Sequence, residues 1–189
     1  MNLKINFAYI FLFLAVLFWA GNFIVGKFAS YYEIPPFSLN FYRWFFAWLI
    51  LLPFTFEEII SKKKYIFENY KFFIILGITS VTIFNSIVYY SLNFTQVISG
   101  VLMISTIPVM IMFISSILKI EKTNIFQILG VICSFIGVIF IITKANIDLL
   151  LNLNFNKGDL TMVIAMLSWA TYSALLKKRK HELSQLSLL

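Results

Sequence analysis

The chain alternates long apolar runs with short polar breaks. Six runs, at about 7–28, 36–56, 72–92, 96–118, 125–143 and 158–176, each hold close to the roughly 20 mostly apolar residues that cross a bilayer's hydrocarbon core. Each is predicted to be a helix, because lipid offers a backbone no partners and a helix satisfies its own. The second run is entered through Pro35-Pro36, which suits a helix's first turn. The fourth carries Pro108, which removes a backbone donor mid-span and predicts a kink. The pattern therefore predicts an all-α, polytopic membrane bundle of six transmembrane helices.

One stretch returns. Leu17, Trp19, Ala20 and Lys27 recur as Leu167, Trp169, Ala170 and Lys177, all displaced by 150 positions. Each copy closes a long apolar run. Read as a duplication, the match divides the chain into a first five-helix repeat at 1–145, a connecting loop at 146–157, and the start of a second repeat at 158–189. Five spans separate the two copies, an odd number, so the second copy is expected upside down relative to the first. Inverted repeats of this kind are common in secondary transporters.

Composition agrees with the pattern. The chain is 61% hydrophobic and 12% charged, against roughly 25% charged in soluble domains. The net charge of +7 does not point to nucleic acid, because the basic residues sit between apolar runs and form no patch with stacking aromatics. Their distribution sets an orientation. Lys4, the Lys62–Lys64 run with Lys71, Lys119 and Lys122, and the run from Lys177 to Lys180 fall on one side, eleven in all. Lys27, Lys144 and Lys157 fall on the other. Since Lys and Arg favour cytoplasmic loops, the N-terminus is expected in the cytoplasm. Cys133 is the only cysteine and His181 the only histidine, so neither an intrachain disulfide nor a thiolate metal cluster is expected. No cofactor is expected either.

Polar groups inside spans are costly unless they face protein or water, so their positions carry information. Helical spacing puts Trp19, Asn22 and Gly26 on one face of the first helix, and Asn40, Arg43 and Ala47 on one face of the second. Thr82, Asn85, Tyr89 and Asn93 make a stripe on the third, and Trp169 and Tyr172 share a face of the sixth. These stripes either converge on a water-filled cavity or serve as helix–helix contacts and interfacial aromatics. Arg43 lies seven positions past Pro36, so roughly 10 Å below the helix start at 1.5 Å per residue. Its planar fork would suit a substrate carboxylate; it would equally suit carbonyls of a neighbouring helix. Gly130, Ser134 and Gly137 form a small-residue face suited to close packing. All eight acids fall in loops or at helix edges, so no carboxylate lies deep in a span.

Taken together, several stretches resemble the drug/metabolite transporter superfamily in its EamA-type branch. Trp19-Ala-Gly-Asn-Phe with Lys27 resembles the end of that family's first helix. Pro36-Phe-Ser-Leu with Arg43 resembles its second. Ser99-Gly100 through Pro108, Ile120-Glu121-Lys122, Gln127-Ile-Leu-Gly130 and Gly137-Val138 resemble its fourth and fifth, and Gly158-Asp159-Leu160 with Trp169 the opening of its second repeat. The resemblance implies part of a ten-helix inverted-repeat permease of the cytoplasmic membrane that exports small metabolites, often amino acids, by alternating access. It also implies that the missing second-half helices, or a second copy, complete the pathway. Without a deep carboxylate, proton-for-cation exchange as in the similar small-multidrug-resistance exchangers is not expected. Neutral, zwitterionic or anionic solutes are. The substrate-contacting residues expected are Trp19, Asn22, Asn40, Arg43, Asn85, Tyr89, Trp169 and Tyr172, with Pro108 as a helix kink. Two other readings remain open: a truncated membrane protein with no transport of its own, and a membrane-embedded enzyme acting on lipid. The enzyme reading lacks a His within a span, paired deep carboxylates and a ligand cluster.

Overall fold

A computed structural model describes residues 7–120, 124–143, 156–178 and 182–189. Much of the connecting loop, 144–155, lies outside them, as do Lys4, Glu121, Lys122, Lys144, Asp148, Arg179, Lys180 and His181. Every described element is a helix: α1 (Phe7–Tyr31), α2 (Pro36–Ser61), the short α3 (Lys63–Glu68), α4 (Tyr70–Ser91), α5 (Val97–Ile104), α6 (Ile107–Ile117), α7 (Ile125–Thr143), α8 (Lys157–Lys178) and the single-turn α9 (Gln185–Leu188). Four of them, α1, α2, α4 and α8, are long and apolar enough to cross a membrane.

The fourth apolar run is not one continuous helix. It breaks at Ser105 and Thr106 into α5 and α6. Thr106 turns its hydroxyl back onto the Met103 carbonyl at 2.6 Å, and Pro108 follows in the first turn of α6, where a missing N–H leaves no ladder bond unmade.

The first helix of the expected second repeat lies at the centre. α8 packs against α4, α5 and α6, and buries Met162, Ala165, Met166, Ala170 and Ala174. Between helices in lipid there is little hydrophobic driving force, so close packing must hold them. Small residues along α8 permit that approach, and Met162 and Met166 fill the space beside Phe23, Phe84, Val88 and Leu92. α1 and α8 run antiparallel. Lys27, near the C-terminal end of α1, donates to the carbonyls of Leu92 (2.7 Å) and Thr95 (3.0 Å) just past α4. Gly158, at the N-terminal end of α8, lies against the same stretch: a Cβ there would stand 2.6 Å from the Ser91 carbonyl oxygen and 2.9 Å from the Thr95 nitrogen. Asp159 accepts from the Thr95 hydroxyl at 2.6 Å and Thr161 pairs with Ser91 at 2.7 Å. Polar contacts and one essential glycine thus knit this end of the bundle shut.

α4 is not uniform. Across Ile78–Asn85 its backbone widens into a π-helix. A π-turn carries one extra residue and rotates everything beyond it by about 100° relative to an unbroken α-helix. Thr82, expected to share a stripe with Asn85 and Tyr89, is exposed on another side, while Asn85 and Tyr89 are buried. The expected stripe also fails at Asn93, which lies beyond α4 in an exposed turn.

Candidate functional site

Three helices meet at Arg43. Its Nη1 donates to Asn22 Oδ1 of α1 at 2.8 Å, to Asn85 Oδ1 of α4 at 3.2 Å, and to the Tyr89 hydroxyl of α4. Tyr89 in turn donates to Asn22 Oδ1 at 2.6 Å. The guanidinium also lies 5.5 Å from the Trp44 ring and 5.9 Å from the Tyr89 ring, within cation–π range. Every acceptor around it is neutral, and no carboxylate among the described residues pairs with it. Neutral oxygens hold the fork in place without cancelling its charge. Among the described residues only Nη1 is hydrogen-bonded, which leaves the rest of the guanidinium able to donate.

Arg43 faces a cavity of about 620 Å³. Beside it the walls are Trp19, Trp44, Trp48, Phe84, Asn85, Trp169 and Tyr172. The aromatic wall is continuous: Trp169 lies 4.6 Å from Phe84, 5.1 Å from Tyr172 and 6.0 Å from Trp19 between ring centroids. The two tryptophans of the repeated stretch therefore meet at this cavity. Its other end is covered by Leu183, Ser187, Leu188 and Leu189. That segment is tied to α2 through Glu58, which accepts from the Ser184 backbone N–H (2.8 Å) and from the Ser184 and Ser187 hydroxyls. Lys62 adds an ion pair to Glu58 at 3.4 Å and donates to the Glu182 carbonyl.

The structure brings together seven of the eight expected contact residues. Trp19, Arg43, Asn85, Trp169 and Tyr172 line the cavity; Asn22 and Tyr89 brace Arg43 from behind. Asn40 does not join them. It is buried between α2 and α4, donating to the Val81 carbonyl and the Ser86 hydroxyl, both at 2.9 Å. Pro108 lies elsewhere, in a crevice between α6 and α7. Trp44 and Trp48 are cavity residues that the sequence reading passes over. Their spacing of four, beginning next to Arg43, is the signal that could have found them. Lys27, expected as a loop charge, instead closes the α4 end of the bundle. No group of His, Cys, Asp and Glu able to hold a metal occurs among the described residues.

The profile of the EamA-like transporter family matches residues 6–143. The chain belongs to that family. Among curated proteins, it is 28% identical over 159 residues to the "Uncharacterized transporter YyaM" of Bacillus subtilis, covering 84% of this chain and 52% of that protein. It is 29% identical over 174 residues to an "Uncharacterized transporter" of Archaeoglobus fulgidus, covering 89% and 58% respectively. A second Bacillus subtilis relative, "Uncharacterized transporter YoaV", is 26% identical over 155 residues, covering 81% of this chain and 51% of that protein. The chain thus spans a little over half the length of these relatives. No solved structure matches it. An EamA-like chain with helices this apolar is an integral membrane protein, and the family and the relatives' names point to a transporter and not to an enzyme. The Arg43 cluster is built wholly from α1, α2 and α4, inside the matched region. Trp169 and Tyr172 of α8 lie beyond it.

Proposed function

We propose that this EamA-like chain forms half of a secondary transporter that exports small anionic or zwitterionic solutes by alternating access, with Arg43 as the solute's anchor. The observation that carries the reading is a guanidinium held, among the described residues, by neutral oxygens only, facing a cavity walled by aromatics. A charge left uncompensated in an apolar span is costly. A solute carboxylate, bound through the free side of the fork, would supply the missing partner. Asn85, Trp19, Trp169 and Tyr172 would contact the rest of the solute, while Asn22 and Tyr89 keep the fork aimed.

The wider arrangement belongs to the same proposal. Six spans, an N-terminus in the cytoplasm of a cell bounded by its plasma membrane, and a first repeat at 1–145 followed by the inverted start of a second fit the basic-residue distribution. The antiparallel α1 and α8, with Trp19 against Trp169, support it too. Further helices of the second repeat, or a second copy, would complete a ten-helix pathway.

The test is counterflow of labelled amino acids and small carboxylates in proteoliposomes. The chain is assayed alone and co-reconstituted with the second half of a family relative. Uptake dependent on the added half, and reduced at least about tenfold by Arg43→Lys, which keeps the charge and loses the fork, is the expected result. Equal rates for native and Arg43→Lys protein would remove Arg43 from solute binding. Absence of transport under both conditions would leave the chain a membrane protein without transport of its own.

A further inference from the structure

Three consecutive carbonyls in the widened part of α4 each receive a side-chain donor, and each donor comes from a different place. Ser168 of α8 donates to the Thr79 carbonyl at 2.8 Å. Asn85 of α4 itself donates to the Ser80 carbonyl at 2.9 Å. Asn40 of α2 donates to the Val81 carbonyl at 2.9 Å. All three side chains are buried. A π-helix closes its own i→i+5 bonds, but its ladder is disturbed where it begins and ends. At membrane depth no water makes up the loss, so side-chain donors on these carbonyls favour the widened form. Here two neighbouring helices and one local amide do so, residue after residue.

The widening has a purpose at the Arg43 site. Because the π-turn slips the helix by one residue, Asn85 and Tyr89 point at Arg43 and Asn22, while Thr82 is rotated out of that face. We infer that Ser168 and Asn40 are positioning residues for the Arg43 site, acting through the register of α4 and not by touching the solute. Asn40, expected from its spacing to contact substrate, is reassigned to this task. Ser168 gives the inference its reach. It lies on α8, beyond the first repeat, next to the cavity residue Trp169. The opening helix of the second half thereby sets the geometry of a site built in the first.

The inference takes the Arg43 site from the reading above, but its test reads backbone register and not transport, so either can fail alone. Nitroxide labels are placed one at a time at positions 74–90 in a Cys133→Ser background, and their accessibility to oxygen in bilayers gives the helical phase. The native chain is expected to show a phase slip of about 100° across 78–85. Ser168→Ala is expected to abolish or relocate the slip, and Ser168→Thr, which keeps the donor, to preserve it. A native chain without the slip, or a Ser168→Ala chain that retains it in place, overturns the inference. If Ser168→Ala alone fails to fold, deletion of Thr82 supplies the second arm. Removing the extra residue is expected to give an unbroken phase and to make the chain indifferent to Ser168→Ala. A Ser168→Ala chain that still misfolds in that deletion background also overturns it.

Discussion

At the scale of single residues, the Arg43 site rests on one oxygen shared twice. Asn22 Oδ1 accepts from both Arg43 and Tyr89, so the tyrosine hydroxyl orients the amide as well as the guanidinium. Tyr89→Phe removes that hydroxyl with almost no change of volume. Hydrogen bonds to charged groups contribute about 1.5–3 kcal/mol, so apparent solute affinity should fall roughly 10- to 100-fold, read from the concentration dependence of uptake. Unchanged affinity would show that Asn22 and Asn85 suffice. Most of this cluster was legible in the sequence, because Asn22, Arg43, Asn85 and Tyr89 are polar residues at depth on helical spacing. Asn40 has the same signature and a different task. Spacing tells which residues share a face; it does not tell which neighbour that face meets. Thr82 departs from its expected face for a sharper reason. A π-turn is one residue too many in a ladder, and no residue type announces it.

At the scale of helices, the bundle depends on close approaches that only glycine permits. A Cβ on Gly26 would meet Leu92 Cδ1 and Tyr89 Cδ1 at 2.8 Å, side-chain atoms able to shift at the expense of the Arg43 cluster. A Cβ on Gly158 would meet backbone, which cannot. Gly158→Ala should therefore destabilise more than Gly26→Ala, with the latter in the range of about 1–3 kcal/mol typical of overpacking. Gly21, with nothing within 4 Å, provides the control and should tolerate Ala. Thermal aggregation midpoints in detergent would rank the three; an order with Gly158→Ala harmless would mean that α8 does not dock on α4 as described. Lys27→Met tests the same end of the bundle. It removes the cation that bonds the Leu92 and Thr95 carbonyls just past α4, and should cost up to about 1 kcal/mol on the same assay. The break at Ser105 and Thr106 was only half visible beforehand. Pro108 predicts a disturbance, but the turn of Thr106 onto Met103 makes it an interruption two residues earlier.

At the scale of the whole molecule, four of the six expected spans are described as helices long and apolar enough to cross a membrane, α1, α2, α4 and α8. The central place of α8 was not legible. In lipid, a residue facing another helix and one facing acyl chains can be equally apolar, so the alternation that betrays a core in water is absent. Only the repeated tryptophan hinted that the helix would return to the first. The proposed orientation makes a direct prediction. A reporter fused near Glu57 should lie on the cytoplasmic side and one near Leu150 on the opposite side, as judged by compartment-specific activity. Both in one compartment would sink the inverted arrangement.

The tryptophans carry one more consequence. The chain has four, Trp19, Trp44, Trp48 and Trp169, and all four border the same cavity. The intrinsic ultraviolet emission of this protein's tryptophans therefore comes entirely from the walls of one chamber, with no indole background from elsewhere. A compound that enters should quench or shift that emission in proportion to occupancy, so candidate solutes can be screened with the unlabelled protein in a cuvette.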